Sequence, residues 1–337
     1  MIYTDHEKMQ FLGLFGIYKE SYKIMLSRKK IFTQITLTLI LPLSFIILIH
    51  LQISDILFGK IMHDSQDLTS TPSDSPQQQK LINLVSSDWG IFFLFKFLYF
   101  IFAFIFSLLS TSAVVYTIAS IYTSKEVTSK NVISVVPKVW KRLVVTFLCT
   151  LVAFFVYNVM AIVAVVILAL TTGVKSGGGV AILFVIAILY VVGFVYLTVV
   201  WQLANVVTVL EDSYGFEGMA KSRELIKGKM GLSVVIVLKL KALFSLILTM
   251  FAMMVVNGWK VYKLSTMERT TWGVVCFVSL SCMFLLMLVV ETVLYFVCKS
   301  YHNEIIDKSA LSDRLEVYQK EQYEPLETKD VQLDYHV

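Results

Sequence analysis

The chain is dominated by apolar runs of about 20 residues or more, set apart by short charged stretches. Wound as helix, such a run crosses the roughly 30 Å hydrocarbon core of a bilayer. Apolar residues make up 57% of the 337 positions and charged residues 16%, against about half and a quarter in a soluble domain. The expected fold is therefore all-α: a polytopic membrane protein with a six-helix transmembrane bundle. Spans are predicted at 33–52, 91–118, 143–171, 180–210, 242–258 and 272–298. The second and third exceed what a bilayer needs and should tilt or project. The fifth carries Lys239 and Lys241 near its start; with both snorkelling to the interface, about 17 residues remain, the lower limit for a span.

Basic residues orient the bundle. Six Lys or Arg precede the first span, five lie in the second loop, four in the fourth and five from Lys299 to Lys329, while the alternate loops hold two, one and three. By the positive-inside rule both termini are cytoplasmic, which suits an even number of spans. Residues 1–32 form a cytoplasmic N-terminus with an interfacial helix, 33–302 the membrane domain and 303–337 a cytoplasmic tail. The outer loop 53–90 contains "HDSQDLTSTPSDSPQQQK" (63–80), which has little to bury and reads as partly disordered. "TTGVKSGGGV" (171–180) reads as a glycine-rich turn, and the tail as a short helix followed by disorder. No cleavable signal is expected, and no Asn-x-Ser/Thr sequon occurs. The endoplasmic reticulum and the plasma membrane fit equally.

The cytoplasmic segments share a pattern. Phe11, Phe15, Tyr18, Tyr22 and Met25 recur at steps of four, three, four and three, one apolar stripe ending at Arg28, Lys29 and Lys30. A helix of this kind lies in the headgroup plane. Val132, Val136, Val139, Trp140 and Leu143 form a second stripe before the third span, with Pro137 as a kink. Phe216, Met219, Ala220, Leu225, Ile226 and Met230 form a third within "FEGMAKSRELIKGK" (216–229). Three cytoplasmic interfacial amphipathic helices, each followed by a helical hairpin, are thus expected. The proposed lipid-contacting cations are Lys19, Lys23, Arg28, Lys29, Lys30, Lys138, Lys141, Arg142, Lys221, Arg223, Lys227 and Lys229.

Three stretches, "SVVPKVWKRLVVTFL", "VWQLANVVTVLEDSYGFEGMAKSRELIKGK" and "ETVLYFVCKSYH", resemble a family of plant six-span membrane proteins of uncharacterised function. The resemblance covers nearly the whole chain. "GMAKSRELIKGK" is also similar to an element in the membrane domain of some bacterial glycerophosphodiester phosphodiesterases. No stretch of about 250 residues is left for the catalytic barrel of those enzymes. The likeness implies a shared membrane scaffold, not the hydrolase activity.

Chemical sites are sparse. "GVKSGGG" (173–179) lacks the Gly-Lys-Ser/Thr order of a phosphate loop and reads as a turn. Cys149, Cys276, Cys282 and Cys298 lie in or at the end of apolar runs without a CxxC pair, and read as small packing residues. His6, His50, His63, His302 and His336 show no His-x-x-x-His or Glu-paired spacing; no metal and no cofactor is expected. Lys96 reads as snorkelling. Glu291 lies about two turns inside the sixth span, where a carboxylate needs a partner or a wet cavity. It pairs with Lys239 or Lys241, or it lines a transport path. Asn158, Gln202 and Asn205 complete the intramembrane polar set, with interhelical hydrogen bonding as their default role.

The functional expectation is a non-enzymatic membrane protein that engages anionic lipid headgroups, or protein partners, in membrane organisation or trafficking. A small-solute transporter or channel using Glu291 is the alternative, and a membrane-embedded lipid enzyme a third. The net charge of +5 is spread along a membrane face, which speaks for lipid and against nucleic acid.

Overall fold

A computed structural model of the chain describes residues 9–71, 75–123, 129–171 and 177–302. The extreme N-terminus, most of the 171–180 turn and the tail from 303 lie outside the described residues, as do the side chains of Val132, Val136 and Lys138. Among the described residues the structure is helical throughout, and six helices are long and apolar enough to cross a membrane.

The elements are α1 (Leu14–Ser27), α2 (Lys29–Ser70), α3 (Pro76–Tyr122), α4 (Ser129–Thr171), α5 (Gly177–Leu210), α6 (Gly215–Ile226), α7 (Met230–Val256), the single turn α8 (Gly258–Tyr262) and α9 (Thr266–Tyr301). All six membrane helices extend beyond the predicted spans at one end or both. Hydropathy marks where a helix meets lipid, whereas the helix itself continues into water while its residues tolerate the conformation. Residues 53–70 and 76–90, expected to be partly disordered, are helical. Ser75 caps the return helix by accepting from Gln78 N, with Pro76 in its first turn.

Two π-helical turns interrupt the ladder. In α2, Thr36–Ile40 is π-helical, with Leu41 N bonding Thr36 O. Pro42 follows directly and cannot donate to Thr38 O, so the wider turn accommodates the missing bond. In α7, Ala252–Val256 repeats the device just before the chain turns at Asn257, whose N–H reaches Ala252 O at 2.9 Å.

The membrane helices pair as successive hairpins, α2 with α3, α4 with α5 and α7 with α9. The axis of the molecule is α9, which touches α1, α2, α3, α5, α6 and α7. Every residue from Leu288 to Cys298 is buried, the pattern of a helix surrounded on all sides. The core lies in the half of the bundle nearest the termini, around Ala113–Ala119, Val199–Leu210 and Leu288–Cys298. The far halves of α4 and α5 instead expose Phe155, Leu170, Phe184 and Leu189, side chains suited to lipid.

The amphipathic segments differ from one another. Helix α1 is discrete, but it buries Ile17, Ser21 and Ile24 against the bundle and leaves Phe15 and Tyr22 exposed, with Phe11 exposed in the turn before it. The second segment is not a separate helix, because α4 runs without a break from Ser129 past Pro137 into the span. The third, α6, is docked into the protein rather than lying over it. Gly218, Ser222, Leu225 and Ile226 are buried, and Phe216 faces out.

Candidate functional site

Helix α6 is held by small and hydroxyl residues. Gly215 N donates to Thr146 Oγ1 at 2.8 Å, Thr146 and Thr208 share a hydroxyl contact at 2.9 Å, and Ser222 Oγ donates to Val200 O at 2.8 Å. A Cβ on Gly218 would stand 3.2 Å from Ser213 O and 3.3 Å from Thr208 Oγ1. Such close backbone approach through small residues is the usual way helices associate within membranes. Both ends require positive φ: Gly215 at 63° and Gly228 at 87°, angles that only glycine adopts readily. His302 closes the far end, its Nε2 2.9 Å from Lys227 O and 3.1 Å from Leu225 O. Carbonyls only accept, so Nε2 carries the proton.

Beside α6 lies a polar node that the sequence reading missed. Tyr295 Oη donates to Glu211 Oε1 at 2.5 Å, and Lys299 Nζ donates to the same oxygen at 2.6 Å. Burial raises the Glu211 pKa, but the hydrogen bonds from Lys299 and Tyr295, with the charges of Lys299 and Lys221, more than offset it and hold the carboxyl below its ordinary value. Tyr295 and Lys299 stand one turn apart on α9, a legible pair. Their acceptor, 84 and 88 residues away, is set only by packing.

The proposed cations fall into two groups. Lys19, Lys23, Arg28, Lys29, Lys30, Lys141, Arg223 and Lys227 are exposed. Arg142 bonds Asp212 Oδ1 at 3.3 Å, Lys221 acts on Glu211, and Lys229 sits 5.1 Å over the Tyr301 ring. These three face protein groups.

The intramembrane polar set is not one site. The Tyr295–Glu211 contact fixes the register of α5 against the parallel α9. At 1.5 Å per residue, Glu291 lies about 6 Å below that contact, Asn205 about 9 Å and Gln202 about 13 Å. Glu291 Oε1, Asn205 Oδ1 and Gln202 Oε1 are each buried without a partner among the described residues. Asn158 stands apart in the far half of the bundle. Its Oδ1 accepts from Tyr190 Oη of α5 at 3.0 Å, the interhelical bonding expected of it, while its Nδ2 donates to Phe154 O of its own helix at 2.7 Å. Glu291 is 8% exposed. Lys241 is near enough for its charge to act on Glu291, but the two form no direct ion pair among the described residues.

Lys96 does not snorkel away from the protein. Its Nζ donates to Ser54 Oγ at 2.8 Å and lies 3.0 Å from His50 Nε2, and the His50 ring stacks on Tyr99 with centroids 3.6 Å apart. An ammonium only donates, so Nε2 accepts. Elsewhere His63 Nδ1 is 3.3 Å from Asp67 Oδ2 and 3.6 Å from Asp64 Oδ1. An Asp at i+4 falls outside the His-x-x-x-His and Glu-paired spacings.

No curated protein and no solved structure matches the chain. A family model described as "Domain of unknown function (DUF8558)" matches residues 2–336. Six apolar helices, one of them the buried axis, matched almost end to end by one family model, make this chain a multi-pass membrane protein that belongs to the DUF8558 family.

Proposed function

We propose that this protein is a non-enzymatic membrane scaffold whose basic face, placed on the cytoplasmic side by the distribution of Lys and Arg, engages anionic lipid headgroups. One observation carries the reading. Helix α1 is fixed to the bundle through Ile17, Ser21 and Ile24, while Phe11 (79% exposed), Phe15 (84%) and Tyr22 remain uncovered beside exposed Lys19, Lys23, Arg28, Lys29 and Lys30. Aromatic side chains that enter the headgroup region next to cations that meet lipid phosphate are the two parts of an interfacial anchor. The likeness of residues 218–229 to a bacterial membrane domain supports a scaffold role, and α6 would then serve to brace the hairpins.

The test uses the reconstituted protein with a polarity-sensitive fluorophore at Phe15→Cys, in a Cys282→Ser background. Emission should shift to the blue in phosphatidylserine liposomes relative to phosphatidylcholine, and Lys19→Glu with Lys23→Glu and Arg28→Glu should abolish the shift. Equal emission in both lipids would sink the reading.

A transport role is the second reading. It is favoured by the buried, unpartnered Oε1 of Glu291, with Asn205 Oδ1 and Gln202 Oε1 likewise buried and unpartnered among the described residues of α5. Proton flux into liposomes under an imposed gradient, present in wild type and lost in Glu291→Gln, would place this reading first.

A further inference from the structure

The end of the bundle away from the termini contains a groove of about 550 Å³ between α2, α7 and α9. Its walls are apolar, with Phe45, Ile49, Phe251 and Phe277 prominent, and Gln52 and Arg269 are the polar groups of interest. The volume falls within the range of ligand pockets.

The groove follows from the local chain. The π turn Ala252–Val256 ends α7, and the last carbonyls of a helix lack intrahelical partners. Arg269 Nε donates to one of them, Val255 O, at 2.9 Å. This bond holds the guanidinium at the groove, one turn inside the start of α9. Gly273, a turn further on, leaves the wall open, for a Cβ there would meet only Val255 Cγ2, at 3.9 Å. Across the groove, Gln52 Oε1 is buried and has no hydrogen-bond partner among the described residues.

We propose that this groove binds one acyl chain of an anionic phospholipid, with the phosphate at Arg269 and a headgroup or glycerol oxygen at Gln52. The walls suit a hydrocarbon chain, and the positive charge among them selects an anionic head. A guanidinium has five N–H donors; with Nε–H committed to Val255, the others can hold a phosphate. Gln52 lines the same groove, where its amide adds a second polar group beside Arg269. Gln52 closes the predicted span 33–52, so both polar residues stand at the level where acyl chain gives way to headgroup. The site is at the opposite end from the basic face and stands or falls independently of it.

The experiment uses the full-length protein in phosphatidylcholine nanodiscs. Trace photoactivatable phosphatidylglycerol, or a phosphatidylcholine probe with the same acyl chains, is added, and the cross-linked peptides are mapped. The phosphatidylglycerol probe should label the segments 45–52 and 251–277 about tenfold more than its counterpart, equivalent to about 1.4 kcal/mol of preference. Arg269→Gln should bring that ratio close to one. Gly273→Leu, which fills the groove and leaves Arg269 in place, should remove labelling by both probes while labelling elsewhere persists. Equal labelling of wild type by the two probes, or unchanged labelling in Gly273→Leu, would overturn the proposal. Competition by inorganic phosphate alone would also overturn it, because the acyl chain would then contribute nothing.

Discussion

At the residue scale, the node at Glu211 carries a pH signature. Its folded pKa is lowered, so its contribution to stability is present above the ordinary glutamate value near 4.5 and is lost as pH falls through the folded value. Thermal unfolding in detergent should therefore show wild type losing stability as pH drops below about 4.5, with a shallower dependence in Glu211→Gln. Removing the partner is also costly: Lys299→Met leaves a largely buried carboxylate short of its charged donor, for about 1–3 kcal/mol at neutral pH. Gly228 makes a different demand. At φ 87° any Cβ is strained, and here it would also overlap the Tyr301 ring. Gly228→Ala should lower stability by about 1–2 kcal/mol or more, seen as a lower midpoint in the same melts. A glycine near the end of the third apolar stripe is visible in the sequence. Its pairing with the tyrosine is not, because 73 residues separate them.

At the element scale, α6 shows how one amphipathic pattern can serve two partners. A stripe of Phe, Met, Leu and Ile beside lysines reads as a helix lying on lipid. Yet the residues that decide its position are the small ones, Gly215 against α4 and Gly218 and Ser222 against α5. Gly218→Leu should force α6 outward, and amide hydrogen exchange should then rise across 215–226 while α9 stays protected. Helix α1 divides the same way: the expected stripe ran through Phe11, Phe15, Tyr18, Tyr22 and Met25, whereas the residues buried against the bundle are Ile17, Ser21 and Ile24, and Phe15 remains outside. Apolar surface is non-directional in what it will cover, so a stripe reveals that a face is buried without naming its cover.

At the scale of the whole molecule, the distribution of burial separates two halves. The half nearest the termini is packed around α9, and the far half opens α4 and α5 toward lipid. Six crossings place Lys23 and Lys227 on one side and Gly59 and Lys263 on the other. Single cysteines at these positions should react with a membrane-impermeant thiol reagent as two sets, from opposite faces of sealed vesicles. Labelling of all four from one side would contradict the six-span arrangement, and the face on which the Lys23 set reacts tests the orientation inferred from charge.

The sequence by itself determined the class of object: all-helical, six spans, hairpins in chain order. These properties depend on local quantities, the length of an apolar run and the cost of an unbonded amide in hydrocarbon. Tertiary structure alone decided which helix became the axis, which oxygen receives Tyr295 and Lys299, that Lys96 turns toward His50 and Ser54, and that Arg269 stands in an apolar groove. Each of these joins residues from different helices. Their meeting depends on the register between helices, and helix register in a membrane is fixed by side-chain packing and small-residue contacts that hydropathy does not encode.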